Sequence, residues 1–315
     1  MKALKIIAVL GMAVLVAAVQ PSEAGVRKSG LTGAAFLKVG VGARAVALGS
    51  AYTTVTGDIN QMFWNPAGAA LQGGNSQVLL SHNSWIADLS HDALGYSHDM
   101  GDMGTLGIGI VTMGLSDIDA DRDALPQFVL DAGTFDPNDT ETSGAYDYRD
   151  LAVGITWSRH VTNKLDMGVT GKLVRQSIDG VSATAYAADF GAIFRTGFHG
   201  MRIGSRINNL GSDLTFYDIG APLPLTFSIG AAVDLLQNNE DGMQVTVLAD
   251  ATKPQDGEQL LFTAVEVQLF DSLHLRTGYK YNYQGVLGAR GFEDKKVDEV
   301  DGMSYDVVRT EEGLT

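Results

Sequence analysis

The sequence predicts an all-β protein, an antiparallel β-barrel that crosses a membrane and is preceded by a compact amino-terminal segment. Three observations support this fold class: apolar and polar residues alternate in short segments beyond residue 75, tight turns alternate with longer loops, and a glycine-rich segment without alternation comes first. A period of two places successive side chains on opposite faces of a strand. No amphipathic helix of good length interrupts the series, so antiparallel hairpins are the natural connections.

The composition excludes several classes of protein. The 315 residues include 22 Lys and Arg against 37 Asp and Glu, a formal charge of -15, and no Cys. An acidic chain lacks the basic face that nucleic-acid binding needs, so no nucleic-acid partner is predicted. Without Cys there are no disulfides, thiolate metal sites or Cys nucleophiles. An apolar content of 45% is too high for a disordered chain.

Residues 1–24 have the layout of a secretory signal peptide. Two Lys precede an uncharged apolar stretch at residues 6–19, and Ser22 and Ala24 place small residues three before and one before a cleavage point. The alternative is a retained membrane anchor, although the apolar stretch is short for a bilayer span. Cleavage after Ala24 would release an exported protein, and we expect it in the outer membrane of a bacterial cell.

The barrel domain is predicted at residues 71–315, with about eleven strands present. They lie near residues 76–83, 90–99, 104–114, 147–160, 165–177, 184–196, 201–209, 224–236, 243–251, 259–270 and 273–283. The longer connections lie at 84–89, 115–146, 178–183, 210–223 and 252–258, and short turns join the other pairs. Outer-membrane barrels show this asymmetry between short periplasmic turns and long extracellular loops.

The direction of the apolar face separates a soluble barrel from a membrane barrel. A soluble barrel buries that face, whereas an outer-membrane barrel turns it toward lipid. Two features favour lipid as a partner: the opposite face carries charges of both signs, which suits a wet lumen, and aromatic residues recur near the ends of the apolar stripes. Those aromatic residues are Trp157, Phe194, Phe227, Tyr279, Tyr281 and Tyr283.

Inward-facing charges are the predicted residues of the lumen and transport path. They are Lys172, Asp189, Arg202, Arg206, Asp234, Glu266, Arg276 and Lys280. Arg202 and Arg206 lie four residues apart on one strand, which places them on the same face roughly 13 Å apart. One interpretation is a network that fixes a plug to the wall. The other is a selective path for amphipathic or anionic solutes.

The segment at residues 25–70 is dense in small residues, which permits close packing inside a barrel. It contains the run Val-Gly-Ala-Arg-Ala at 41–45 and the run Trp-Asn-Pro-Ala-Gly at 64–68. These runs resemble the opening of PorV/PorQ-family outer-membrane proteins, which are similar to FadL-type channels for hydrophobic compounds. The resemblance rests on motifs over residues 35–70 and on strand pattern alone beyond them.

The resemblance implies a FadL-type barrel of about 14 strands when complete, with the amino-terminal segment folded inside as a plug or hatch. It places Arg44 and the turn at Trp64, Asn65 and Pro66 in the plug and its junction with the first strand. Alternatively, Arg44 only pairs with a lumen carboxylate. The chain ends in a polar stretch at 309–315 without a terminal aromatic strand, so we expect the barrel to be incomplete at its carboxy terminus.

No local signature of catalysis is present. The six His show neither an HExxH pair nor zinc-site spacing, and phosphate loops and nucleophile elbows are absent. Four alternating Asp occupy residues 117–123, but Arg122 and Phe128 stand where an EF-hand needs Gly and Glu. The sequence predicts no enzyme, no cofactor and no metal site. Calcium binding at the acidic loop and a barrel-embedded hydrolase stay open as alternatives.

Two functions remain from different classes. The first is passive transport of hydrophobic or amphipathic small molecules across the outer membrane, with a hydrophobic ligand as partner. The second, implied by the resemblance to PorV, is a non-enzymatic component of the type IX secretion system that binds or shuttles exported protein cargo. An apolar outer loop at residues 210–226 suits either function or packs over the barrel mouth.

Overall fold

A computed structural model describes residues 31–71, 75–119, 145–238, 243–270, 272–281 and 313–314. Its main element is one antiparallel sheet in which consecutive long strands are hydrogen-bonded neighbours. The strands are β1 (Ser76–Ser84), β2 (Ser90–Asp99), β3 (Thr105–Asp119), β4 (Ala145–Thr162), β5 (Leu165–Ile178), β6 (Val181–Arg195), β7 (Arg202–Gly211), β8 (Leu214–Phe216), β9 (Ile219–Ala221), β10 (Thr226–Asn238), β11 (Met243–Pro254), β12 (Leu260–Leu269), β13 (Leu273–Tyr281) and β14 (Gly313–Leu314).

The eleven predicted strands are confirmed as β1 to β7 and β10 to β13. The short strands β8 and β9 pair only with each other, and β14 pairs with β13 through two residues. The loop predicted at 178–183 is wrong, because β5 and β6 are joined by a two-residue turn at Asp179 and Gly180 with φ of 47° and 77°. The sequence Asp-Gly favours a turn with two positive φ angles, which matches the twist of a hairpin.

The connections give the sheet two different ends. At the short-turn end, β2 to β3, β4 to β5, β6 to β7, β10 to β11 and β12 to β13 are joined by a few residues each. At the long-loop end lie most of the longer connections, including the one that carries the β8–β9 hairpin. The acidic loop at 120–144 and residues 282–312 lie outside the described residues, so the calcium alternative and the expected strands beyond β13 stay untested.

The apolar face of the sheet points outward, as predicted. In β4, Ile155 is 58% and Trp157 43% exposed, whereas Ala152 and Thr156 on the alternate face are buried. The exposed aromatic residues lie toward both ends: Trp157 and Phe194 near the short-turn end, and Phe227, Tyr279 and Tyr281 near the long-loop end. Tyr283 lies outside the described residues. No helix among the described residues is long and apolar enough to cross a bilayer.

The amino-terminal segment, residues 31–71, lies against the inner face of the sheet and is called the plug below. It contains one turn of helix, α1 (Ala43–Ala47), and short 3-10 helices at Ala35–Lys38, Ile59–Phe63 and Pro66–Ala69. The plug contacts strands at both edges of the sheet. The Ile59 N–H donates to the side-chain oxygen of Gln77 on β1 at 2.7 Å, and Gly49 abuts Gly278 of β13. The sheet therefore curls around the plug, in the architecture of an antiparallel barrel with an internal segment.

Two apolar clusters join the plug to the wall. The mouth cluster unites Ala34, Phe36, Val39 and Val41 of the plug with small and aliphatic residues of β2 to β6 and with Leu214 and Leu223 of the outer connection. The far-wall cluster unites Ala45, Leu48, Ala51, Tyr52, Val55 and Trp64 with Ala232, Leu248, Phe262 and Ala264 of β10 to β12. Both clusters mix small and large side chains from the plug and from the wall, and their members are buried.

Inward-facing glycines let the plug approach the wall closely; we call Gly168, Gly191, Gly204 and Gly278 the glycine belt. A Cβ added at Gly168 would lie 2.4 Å from the Pro66 carbonyl carbon, and one at Gly278 would lie 2.3 Å from the Gly49 nitrogen. Glycine within a strand commonly marks such a close backbone approach. Residues 49–67 of the plug are therefore held by contacts that tolerate no wall side chain.

A Gly168→Ala variant tests this constraint. The new methyl group would overlap plug backbone, which cannot rotate away as a side chain does, so we expect the free energy of unfolding to fall by about 1–3 kcal/mol. Thermal unfolding of the purified protein, followed by circular dichroism or by heat-dependent gel mobility, measures the change.

The matched control is Gly171→Ala on the same strand, where an added Cβ would meet nothing within 4 Å. It should leave the unfolding free energy unchanged or raise it slightly, because Ala restricts the unfolded chain. Equal stability of the two variants would contradict the close packing of plug and wall.

Candidate functional site: the interface between plug and lumen wall

Arg44 of α1 joins the plug to the far wall through an ionic network. Its guanidinium makes two hydrogen bonds to the Glu266 carboxylate of β12, from Nε at 3.1 Å and from Nη2 at 2.8 Å. The same carboxylate accepts a bond of 2.7 Å from Arg276 of β13. A third bond runs from Arg44 Nη1 to Asp58 within the plug at 2.8 Å. Arg44 thus ties two plug segments to β12, and Glu266 extends the network to β13 through Arg276.

Asp58 organises the plug around this arginine. Its carboxylate accepts bonds from Arg44, from the Tyr52 hydroxyl at 2.7 Å and from the Asn60 backbone N–H at 2.8 Å, and so caps the 3-10 helix that follows. Burial alone would raise the pKa of the Asp58 carboxyl, but the bonds from Tyr52 and Asn60 and the Arg44 charge hold it below its usual value.

Arg44 and Tyr52, the two side-chain partners of Asp58, also keep fixed protonation states. Burial disfavours the charged form of Arg44, yet its bond to Glu266 and the surrounding negative charges raise its pKa overall. Burial, followed by the nearby Asp58 charge, raises the pKa of Tyr52 far above its usual value. Tyr52 therefore stays neutral and donates, while Arg44 stays charged.

The turn at Asn65 and Pro66 is a folding element of the plug. Asn65 caps the last 3-10 helix, with Oδ1 accepting from Ala67 N–H at 3.2 Å and Nδ2 donating to the Thr53 carbonyl at 2.6 Å. Pro66 stands at the first helical position, where its missing N–H costs nothing. Its carbonyl accepts a bond from the Ser158 hydroxyl of β4. The motif thus anchors the plug at the short-turn end, close to the start of β1.

Trp64 links the plug to the wall at the centre of the lumen. Its indole N–H donates to the Val41 carbonyl at 2.9 Å, and its own carbonyl accepts from Asn208 of β7 at 2.8 Å. The Arg206 guanidinium lies 5.2 Å from the ring centroid, within cation–π range. Tyr52 meets the same ring edge-on at 5.8 Å.

The remaining predicted lumen residues form pairs along the wall. Lys172 of β5 contacts Asp189 of β6 at 2.8 Å, and it also donates to Asn209 at 2.5 Å. Arg202 of β7 pairs with Asp234 of β10 at 3.1 Å. Lys280 is half-buried on β13, opposite Phe262 of β12 in the strand register.

The predicted lumen charges fall into separate groups in the structure. Arg202 and Arg206 share a face, as expected, but they bind different partners and form no common site. Glu266 and Arg276 belong to the network that fixes the plug, whereas Lys172 and Asp189 tie neighbouring strands to each other. Most of the predicted lumen charges therefore pair with one another or with residues of the plug.

At the long-loop end, polar bonds hold the first described residues of the plug. Lys38 Nζ and Thr32 Oγ1 both donate to the Asp256 carboxylate, at 2.6 and 2.5 Å, in the connection between β11 and β12. The Ala34 N–H donates to Gln176 of β5 at 2.9 Å, and the Gly33 N–H to the Pro222 carbonyl at 2.9 Å. This end of the plug depends on a few hydrogen bonds and on the mouth cluster.

Several site residues were missed by sequence reasoning. Asp256 and Gln176 lie in the barrel domain far from the plug in sequence, and no local pattern shows that they meet it. A detectable signal did exist for Asp58, since Asp is a favoured N-cap residue and its carboxylate accepts from a backbone N–H two residues later. At the short-turn end, Asp166 binds both His160, at 2.6 Å, and Arg195. Alternation predicts that these three residues face inward, but it does not predict which of them pair.

The described residues hold no cluster of three or more His, Asp or Glu arranged to bind a metal ion. Most of the ionic groups named above already have partners within the protein. The interface is thus suited to holding a plug and to presenting an apolar surface at the mouth.

Comparison with known proteins gives a family match and several structural likenesses. The model of an uncharacterised protein family, UPF0164, matches residues 11–154. No curated protein matches the chain in sequence. The toluene transporter TbuX of Ralstonia pickettii is 14% identical, with a TM-score of 0.46 over 77% of this chain and 86% of that one. The toluene transporter TodX of Pseudomonas putida is 14% identical, with a TM-score of 0.47 over 77% and 83%.

An Arg44→Met variant tests the ionic network. Met has similar length but donates no hydrogen bond, so Asp58 and Glu266 each lose a charged partner, and we expect the unfolding free energy to fall by about 2–3 kcal/mol. Lys164→Met removes an exposed cation from the β4–β5 turn and should change it by less than about 0.5 kcal/mol. Equal effects in urea denaturation would show that Arg44 contributes only a surface charge.

The pH dependence of the Asp256 contact has a definite sign. Burial opposes the charged form, but the bonds from Lys38 and Thr32 lower the pKa of the Asp256 carboxyl below its ordinary 3.8. A carboxyl with a depressed folded pKa contributes stability above its unfolded pKa and loses it as pH falls through the folded value. The free energy of unfolding of the wild type should therefore exceed that of Asp256→Asn by about 1–3 kcal/mol at pH 7.

Measured by thermal unfolding, that difference should stay constant from pH 8 to 5 and should close below pH 3.8. Asp218→Asn, at the exposed tip of the β8–β9 hairpin, is the control and should show no comparable gap at any pH. A gap that widens on acidification would have the wrong sign and would refute this account of Asp256.

Proposed function

We propose that this protein is an outer-membrane β-barrel that carries hydrophobic or amphipathic small molecules passively across the membrane. The supporting observation is the mouth cluster, in which an apolar part of the plug, with Phe36 at its centre, packs against the wall beneath the outer connections. A ligand of matching character can replace these side chains, because apolar contacts are exchangeable and nondirectional. No energy-coupling motif is visible in the sequence, so movement would follow the concentration gradient.

The two ends of the plug differ in a way that suits a gate. Residues 49–67 lie against the glycine belt and are fixed by Arg44 and Asn65. Residues 32–38 are held by the mouth cluster and by hydrogen bonds to Asp256, Gln176 and Pro222, with Lys38 and Thr32 sharing the Asp256 carboxylate. A ligand arriving at the long-loop end would displace this portion and leave the rest in place. The lumen pairs, such as Lys172 with Asp189, would then border the path without binding the ligand as ions.

The exported location is part of the same proposal. The outward apolar face with aromatic residues near both ends suits a bilayer, and the layout of residues 1–24 suits a signal peptide removed after Ala24. Within the FadL-like proteins we place the chain nearest the PorV/PorQ type, on the runs at 41–45 and 64–68.

A second function is favoured by one feature of the outer connection. The tip of the β8–β9 hairpin leaves Tyr217 83% and Ile219 78% exposed, while its base is buried through Leu214. Exposed apolar side chains on a buttressed hairpin can bind a protein. This suits a type IX secretion component that holds exported cargo, in which the plug need not move.

A reversible cross-link separates a moving plug from a static one. A Cβ built on Gly33 lies 3.3 Å from Ala221 Cβ, near the spacing of about 3.8 Å found in disulfides, and the chain contains no competing Cys. In proteoliposomes, oxidised Gly33→Cys/Ala221→Cys protein should take up a small aromatic hydrocarbon at least about fivefold more slowly than wild type. Reductant should restore the rate, and each single Cys variant should resemble wild type throughout.

Two binding measurements complete the test. The purified barrel should retain a hydrophobic probe in detergent, and a pull-down with exported proteins should capture none. Probe retention without protein capture would exclude the secretion function. Protein capture through the β8–β9 hairpin, together with uptake that is insensitive to the cross-link, would exclude passive transport through a moving plug.

A further inference from the structure

The outer surface of the sheet carries a concavity of about 750 Å³ near the long-loop end, between β2 and β5. Strand register defines its floor as two successive outward rows. The upper row runs Ser90, Gly114, Arg149, Ser177, and the lower row runs Asp92, Thr112, Leu151, Arg175. All eight residues line the concavity, together with Met113 and Asp150, two buried residues of the inward rows. The outward residues form most of the lining, so its floor lies on the face opposite the plug.

The row next to the concavity, toward the short-turn end, is entirely apolar. It consists of Leu94, Ile110, Val153, Leu173 and Tyr186, which are consecutive partners across β2 to β6. The outward surface thus changes within one row from hydrocarbon to arginine and hydroxyl groups. Such a boundary lies where the headgroups of a membrane meet its acyl chains.

Arg149 and Arg175 approach each other across the β4–β5 pair. Arg149 is opposite Ser177, and Arg175 is opposite Leu151, so the two arginines are diagonal neighbours on one face, with backbones roughly 7–8 Å apart. Arg175 is exposed and donates to the Ser182 hydroxyl at 3.2 Å. Among the described residues no carboxylate lies within ion-pair distance of it. Arg149 pairs with Asp147 at 2.9 Å on the exposed rim.

Three residues of the lining carry carboxylates. Asp92 of β2 is already bound to His82 of β1 at 2.6 Å, and Asp88 belongs to the turn before β2. The carboxylate of Asp150 on β4 is buried and accepts hydrogen bonds from Tyr148 and Gln176. The β4–β5 side is therefore the cationic side, with hydroxyl donors from Ser177 and Thr112 near the two guanidinium groups. Guanidinium and hydroxyl donors above an apolar row match a phosphate ester attached to acyl chains.

We propose that this concavity binds the phosphorylated headgroup of a membrane lipid, with Arg149 and Arg175 contacting the phosphate and the acyl chains lying along the Leu94 to Tyr186 row. The inference rests on the proposed membrane location. It assigns a ligand to Arg175, an arginine on a lipid-facing strand for which the described residues supply no anionic partner. Such a charge is stable at a membrane interface when it reaches an anion there.

Native mass spectrometry of the full chain in dodecylmaltoside micelles tests the proposal, with dioleoyl phosphatidic acid as the probe. We expect wild type to retain phosphatidic acid and Arg175→Gln to retain about tenfold less, as the loss of one charge-assisted contact predicts. Arg149→Gln should weaken retention in the same direction, so the test does not depend on one variant folding. Arg159→Gln is the matched control, an exposed arginine at the other end of β4, and should behave as wild type.

Two further probes separate the headgroup from its alternatives. Dioleoylglycerol, which lacks the phosphate, should not be retained, and soluble glycerol phosphate should not displace the lipid at equal concentration. Equal retention by wild type and Arg175→Gln, or equal retention of dioleoylglycerol, would overturn the proposal.

The proposed transport function can fail separately. Arg175→Gln should take up the aromatic hydrocarbon at the wild-type rate, since Arg175 is exposed on the outward face of the sheet. Loss of phosphatidic acid selectivity with normal uptake would remove the lipid site alone. Wild-type protein that binds phosphatidic acid in this arginine-dependent way but does not take up the hydrocarbon would remove the transport function alone.

Discussion

The close approach of the plug backbone to the lumen wall is the constraint on which the rest of the structure depends. At Gly168 and Gly278 an added methyl group would overlap plug backbone atoms, so the wall is shaped by the segment inside it. Buried side chains in both apolar clusters then fill the space that the glycines and alanines of the wall leave. Close packing of this kind tolerates little change in volume on either side.

Ionic contacts also hold the plug against the wall. Arg44 joins the carboxylates of Asp58 and Glu266, and the low exposure of the network makes each member costly to leave unpaired. The same logic explains why most lumen charges come in pairs, as with Lys172 and Asp189. A lumen lined by neutralised pairs presents little net field to a ligand, which suits an apolar solute better than an ion.

Sequence reasoning succeeded where the physics was local. Alternation in β4 and β10 located the strands, since the side-chain period of a strand is two and needs no partner to be visible. The direction of the apolar face came from the charges of both signs on the opposite face and from the aromatic residues near the strand ends. It failed at the 178–183 connection, where the Asp-Gly pair was sufficient to indicate a tight turn. The contacts of Asp256 and Gln176 with the plug were beyond it, because they depend on how the sheet curls and not on any nearby residue.

The glycine belt also constrains the order of assembly. A plug whose backbone touches β5, β6, β7 and β13 with no room for a methyl group cannot be threaded into a finished cylinder. The large side chains of Trp64 and Arg44 would have to pass through the narrow space between the plug and the wall. The contacts therefore favour an order of assembly in which the strands gather around the plug.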